Sequence, residues 1–127
     1  MYIKSFKQLI VWQKSVDLVQ EIYALTKQFP KEDIYGLTAQ IRRAAISIPS
    51  NIAEGSRRKD VPEYLYFLRI ADASSAELET QLIIAQKVYP DLNCESACVL
   101  LDEIQKMLYG MMFKLSQNAQ SKLKAKS

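Results

Sequence analysis

The groups best able to bind or transform another molecule are concentrated between Gln40 and Asp60. This stretch holds Arg42, Arg43, Arg57, Arg58 and Lys59, cations of the kind that neutralise the phosphates of RNA or DNA. Between the two basic groups lie Ser47, Pro49, Ser50, Asn51 and Glu54. On a helix, Arg43, Ser47, Ser50 (or Asn51) and Glu54 fall along one stripe with Arg42 at its edge. Serine, asparagine and proline are poor helix-interior residues, and such departures from local preference mark functional or tightly constrained positions. Three chemistries suit these residues. In one, Ser47 and Asn51 bond to backbone freed by Pro49, and Arg43 and Glu54 form ion pairs within or between subunits. In another, the five cations hold nucleic-acid phosphates, although no aromatic residue is interleaved in the stretch to stack bases; without that ligand they form a solvated, mixed-charge surface. The third, an enzyme site of Ser47, Asn51, Glu54 and an arginine, has one carboxylate, no histidine and no Gly-rich phosphate loop, which is little general acid–base capacity.

Elsewhere the chemistry is thinner. None of the 127 residues is histidine, which removes Ser-His-Asp and Cys-His triads, His-ligated zinc and the usual proton shuttle near neutral pH. No catalytic residue, metal ligand, cofactor or small-molecule substrate is assigned. Cys94 and Cys98 stand four apart, on one face of a helix, and read as small apolar residues in a reducing cytosol. Glu77 and Glu79 lie on different helix faces and do not form a catalytic pair. Met107, Met111 and Met112 with Phe113 read as core or interface filler. From Lys114 onward there are four lysines and no acid, leaving 13 basic against 14 acidic residues in the body. Any basic surface is therefore local. The first residues do not resemble a signal peptide, and no run of about 20 apolar residues could span a bilayer, so a cytoplasmic protein is expected.

The elements that must position these groups are helical. Gly (3) and Pro (4) are too scarce for the many turns of a β-sandwich or barrel. Over residues 6–29, Leu9, Trp12, Val16, Val19, Tyr23 and Thr26 form one stripe, and Val11, Leu18, Ile22, Leu25 and Phe29 a second beside it. Two stripes exceed what a two-helix seam needs, so this helix should meet two neighbours, or one neighbour and another subunit. Trp12 reads as a buried anchor, and Pro30 ends the helix. A second helix over 38–55 starts at Thr38 as N-cap, buries Ile41, Ala45, Ile48 and Ile52, continues with a kink through Pro49 and ends at Gly55. A third covers 61–89, with Pro62 in its first turn and Tyr64, Phe67, Ala71, Ser74, Leu78, Leu82 and Ala85 inward. A fourth covers 94–117, with Ala97, Leu101, Ile104, Leu108, Met111 and Leu115 inward, and a basic tail over 118–127 frays. Joined by short turns, these make a single all-α domain, an antiparallel up-and-down four-helix bundle spanning residues 1–127.

Several runs resemble the bacterial four helix bundle protein family, encoded within intervening sequences of 23S ribosomal RNA genes and also labelled S23 ribosomal protein. They are Phe6-x-x-Leu9-x-Val11-Trp12-Gln13-Lys14, Tyr35-Gly36-Leu37-Thr38-x-Gln40-Ile41-Arg42-Arg43-Ala44-Ala45, and Ser47-Ile48-Pro49-Ser50-Asn51-Ile52-Ala53-Glu54-Gly55. Tyr64-x-x-Phe67-Leu68-x-Ile70-Ala71 and Ser74-x-x-Glu77-Leu78-Glu79 continue the match. The resemblance implies a bundle that assembles as a ring, a pentamer, without enzymatic activity. The family is similar to the accessory variability protein of diversity-generating retroelements, a basic pentameric barrel that binds a reverse transcriptase and nucleic acid. The signature singles out Arg42, Trp12, Arg43, Ser47, Pro49, Asn51 and Glu54. If protomers pack side by side, the wide apolar face of the first helix and the polar stripe of the second are both accounted for. The expected function is that of an oligomeric, non-enzymatic protein binding RNA or a nucleoprotein through Arg42, Arg43, Arg57, Arg58 and Lys59. The alternative is a protein–protein scaffold that binds no nucleic acid.

Overall fold

The computed structural model describes the backbone of residues 5–126 and the side chains of residues 5–120. Among these residues there are four α-helices and no strand: α1 (Ile10–Thr26), α2 (Leu37–Ser56), α3 (Val61–Val88) and α4 (Glu95–Lys126). Single turns of 3-10 helix at Phe6–Gln8 and Lys31–Asp33 precede α1 and α2. Among the described residues each helix packs most closely against the next and α4 against α1, so the four stand in a square. Lys14 pairs with Glu103, and Glu21 lies against Ser96, so α1 and α4 are antiparallel. The fold is the expected four-helix bundle.

The ends of the helices follow local chemistry. At α3, Asp60 accepts a bond from the Glu63 amide at 2.8 Å, and Pro62 occupies the first turn, where its missing N–H costs nothing. Asn93 Oδ1 accepts from the Glu95 amide at 3.0 Å before α4. Thr38 is not the cap of α2. Gly36 holds that position without a side-chain bond, while Thr38 is buried inside the helix. The chain then passes through Pro49 without a break, because Ile48 and Ile52 on either side are both fully buried in the core. Packing thus outweighs the lost backbone bond. The last helix continues well past Gln117, the sequence-based boundary, to Lys126. The side chains of the tail lysines Lys122, Lys124 and Lys126 lie outside the described residues.

The two stripes on α1 have different fates. Val11, Leu18, Ile22, Leu25 and Phe29 are buried within the single chain. In the other stripe only Thr26 is buried; Val16 is 40% and Tyr23 36% exposed, while Leu9 and Val19 are half-buried. Trp12 is not the buried anchor expected of it. It is half-buried, its ring edge-on to Phe6 at 5.2 Å. Across α2, Ile46 is 42% exposed and lies one turn from Arg42, whose guanidinium sits 4.3 Å over the Tyr23 ring. An apolar flank therefore runs along the outer side of the α1–α2 pair. One chain leaves it open.

Gly55 does something other than end a helix. Its φ is not positive, and α2 continues to Ser56. A Cβ there would stand 2.8 Å from the Phe67 Cβ and 3.0 Å from the Tyr64 ring, so glycine allows α2 and α3 to touch. Alanine would gain about 1 kcal/mol of helix propensity but cost about 2–3 kcal/mol in overpacking. Gly55→Ala is expected to lose about 1–2 kcal/mol net in urea unfolding, the difference of those two effects. A stabilised variant would show that the two helices separate freely.

Candidate nucleic-acid interface

The five cations that cluster in sequence divide in space. Arg43 and Arg57 are separated by fourteen helical steps, roughly 20 Å along α2. At the near end, Arg42 donates from Nε to Thr26 Oγ1 at 2.9 Å and covers Tyr23, so it fastens α2 to α1. Arg43 is exposed and makes no ion pair among the described residues; it does not pair with Glu54. Thr26 is buried and would otherwise present a hydroxyl to apolar surroundings. Its Oγ1 donates to the Ile22 carbonyl at 2.7 Å and accepts from Arg42.

The polar middle of α2 is spent on packing against α3. Ser47 Oγ lies 2.7 Å from Ser74 Oγ, and Asn51 Nδ2 donates to the Ser47 carbonyl at 2.8 Å and to Ser47 Oγ at 2.9 Å. Pro49 deprives the Ala45 carbonyl of its helical donor, yet Asn51 bonds to Ser47 instead. Ser47 thus joins α2 to α3, Asn51 supports Ser47 from the next turn, and neither is a patch for the proline.

At the far end two of the remaining three cations lie over aromatic rings. Arg57 places its guanidinium 5.6 Å over Phe6, which belongs to the 3-10 turn before α1. Arg58 lies 4.6 Å over Phe67 of α3 and bonds Glu54 Oε1 through Nη2 at 2.7 Å. Both members of that ion pair are solvent-exposed, so it contributes little stability but orients the guanidinium. Lys59 is exposed, and neither it nor Arg57 pairs with an acid among the described residues. Tyr66 meets Phe67 at 5.2 Å, nearly perpendicular, and is 59% exposed. The half-buried Tyr64 packs beside Gly55, and burial raises its phenol above the usual pKa.

Phe6, Tyr66 and Phe67 are the residues that a search confined to positions 40–60 misses. The signal for two of them is present: Tyr64-Leu65-Tyr66-Phe67 opens the helix immediately after the basic loop. Phe6 is far away in sequence and reaches the site only because α1 runs back along α2.

The thiols offer no nucleophile. Burial pushes the Cys94 thiol up, with Cys98 adding to it, and burial with the Glu79 carboxylate does the same for Cys98. Both stay protonated at neutral pH. Glu77 and Glu79 face different ways, the first accepting from Gln81 and the second from Gln105. Among the described residues no group of His, Cys, Asp or Glu could hold a metal ion, and no helix is long and apolar enough to cross a membrane.

The molecule is thus an all-α four-helix bundle with a cation-on-aromatic cluster at its α2–α3 end and an uncovered apolar flank on α1 and α2. The family model of the 23S rRNA-intervening sequence proteins matches residues 7–110, and the chain belongs to that family. No curated protein matches the chain.

Proposed function

We propose that this protein is a non-catalytic, homo-oligomeric bundle of the cytoplasm that binds RNA at its α2–α3 end. One observation carries the reading: Arg57, Arg58 and Lys59 occupy a single turn, and two of the three guanidinium and ammonium groups are supported on aromatic rings. Cations held in place lose less freedom on meeting a phosphate, so each contact contributes more to affinity. The self-association half of the proposal draws on the flank of Trp12, Val16, Val19, Tyr23 and Ile46. A ring of five, the assembly that the family resemblance implies, would cover that flank by a head-to-tail contact and repeat the basic turn five times.

The same flank favours a second reading, a protein–protein scaffold that binds no nucleic acid. Retention on immobilised RNA at physiological salt separates the two, with retention supporting RNA binding and free passage supporting the scaffold. Sedimentation equilibrium tests the assembly. The wild type is expected to sediment as an oligomer, and Val16→Lys combined with Ile46→Lys as a monomer. Both positions are exposed in the single chain, so the substitutions leave the bundle itself intact. A monomeric wild type would contradict the proposed assembly.

A further inference from the structure

We infer that the ligand of the α2–α3 end is an unpaired stretch of nucleic acid, with bases stacked on Tyr66 and on the Arg58 guanidinium and its phosphates along Arg57 and Lys59. This rests on the RNA-binding reading above and says which form of nucleic acid the site takes.

Charge alone is a poor account of this end. Glu54 offsets Arg58, and Asp60 and Glu63 lie at the start of α3, leaving Arg57 and Lys59 as the cations without an acid partner among the described residues. What sets the site apart is flat, fixed surface. The Cβ of Phe67 is wedged against Gly55, where even a methyl group would collide, so the root of this side chain is held in place. Arg58 is held on the Phe67 ring at 4.6 Å and tethered by Glu54 at 2.7 Å, which fixes its plane, and the side chain remains exposed. Tyr66, 59% exposed, is braced against the same Phe67 ring at 5.2 Å.

An exposed tyrosine and an immobilised guanidinium plane are surfaces on which bases stack. A duplex has no use for them, because its bases are already stacked on each other and it presents only backbone and groove edges. Unpaired bases can splay onto the shelf while the backbone passes the free cations. The stacking is sequence-tolerant, since every base has a π-face.

The test is fluorescence anisotropy with the full chain at low salt, using a short unstructured RNA and the blunt duplex that it forms with its complement. The single strand is expected to bind about tenfold or more tightly than the duplex. Tyr66→Ala should weaken the single strand about fivefold or more and leave the duplex unchanged, while Tyr66→Phe keeps the wild-type affinity. Equal affinity for the two RNAs, or no effect of Tyr66→Ala, would overturn the stacking inference and leave RNA binding standing. Failure of both RNAs to bind would overturn the functional reading with it.

Discussion

Ile48→Ala is expected to remove about 2–5 kcal/mol of stability, read as a lower urea midpoint at unchanged slope. Ile48 is fully buried and immediately precedes Pro49 in the middle of α2. At that point the helix already lacks one backbone hydrogen bond, so its continuity depends on the side chains that anchor it on both sides. Removing the Ile48 side chain beyond Cβ leaves a cavity in the buried core that a close-packed interior does not refill. Ile83→Ala, on α3 and 53% exposed outside the α1–α2 flank, should stay within about 0.5 kcal/mol of wild type. If the two substitutions cost the same, the account of how α2 survives its proline is wrong.

The second large effect concerns binding. Reversing Arg57, Arg58 and Lys59 to glutamate should reduce RNA affinity at low salt by about a hundredfold or more, since two phosphate contacts become repulsive and the guanidinium plane of Arg58 is lost. Arg57→Glu alone and Arg43→Glu each move the charge by two units, and both residues are exposed and unpaired among the described residues, but Arg43 lies roughly 20 Å away along α2. Its effect should be severalfold at most. Comparable losses from these two single variants would mean that binding follows net charge and not the site.

The basis of this contrast was only partly legible in the sequence. Helix periodicity is a local signal, and it placed Val11, Leu18, Ile41, Ile48, Ile52, Leu78, Leu101 and Ile104 inward, where the structure has them. It also indicated that α2 would pass through Pro49, because the apolar spacing keeps register on both sides. Gly55 was harder. Glycine near the end of an apolar run reads as a terminator, whereas its actual role depends on Phe67 and Tyr64 arriving from the next helix. Thr38 looked like a cap for a related reason: its hydroxyl suits that role, and nothing local announces that it is buried.

The candidate site shows the same divide. Five cations within eighteen positions look like one patch, yet most of the intervening residues are helical, so the rise of α2 carries the first two away from the last three. Arg42 belongs to α1 through Thr26 and Tyr23. Conversely, the rings beneath Arg57 and Arg58 come from the 3-10 turn before α1 and from α3, contacts that no spacing rule within α2 can reveal. The breadth of the apolar face on α1 was legible, and Val16 and Tyr23 remain exposed as that breadth requires. The inner of its two stripes, however, is fully accommodated by one chain.

The most direct test of the central claim, that the cations at residues 57–59 grip phosphates, is a salt titration of RNA affinity. Plotted as log affinity against log salt concentration, wild-type protein with single-stranded RNA should fall with a slope of about −1.4 to −2.1 for each site engaged, the release expected for two to three phosphate contacts. The glutamate-reversed protein should bind too weakly to yield a slope. An affinity that does not change with salt, or an absence of binding at the lowest salt, would contradict the account.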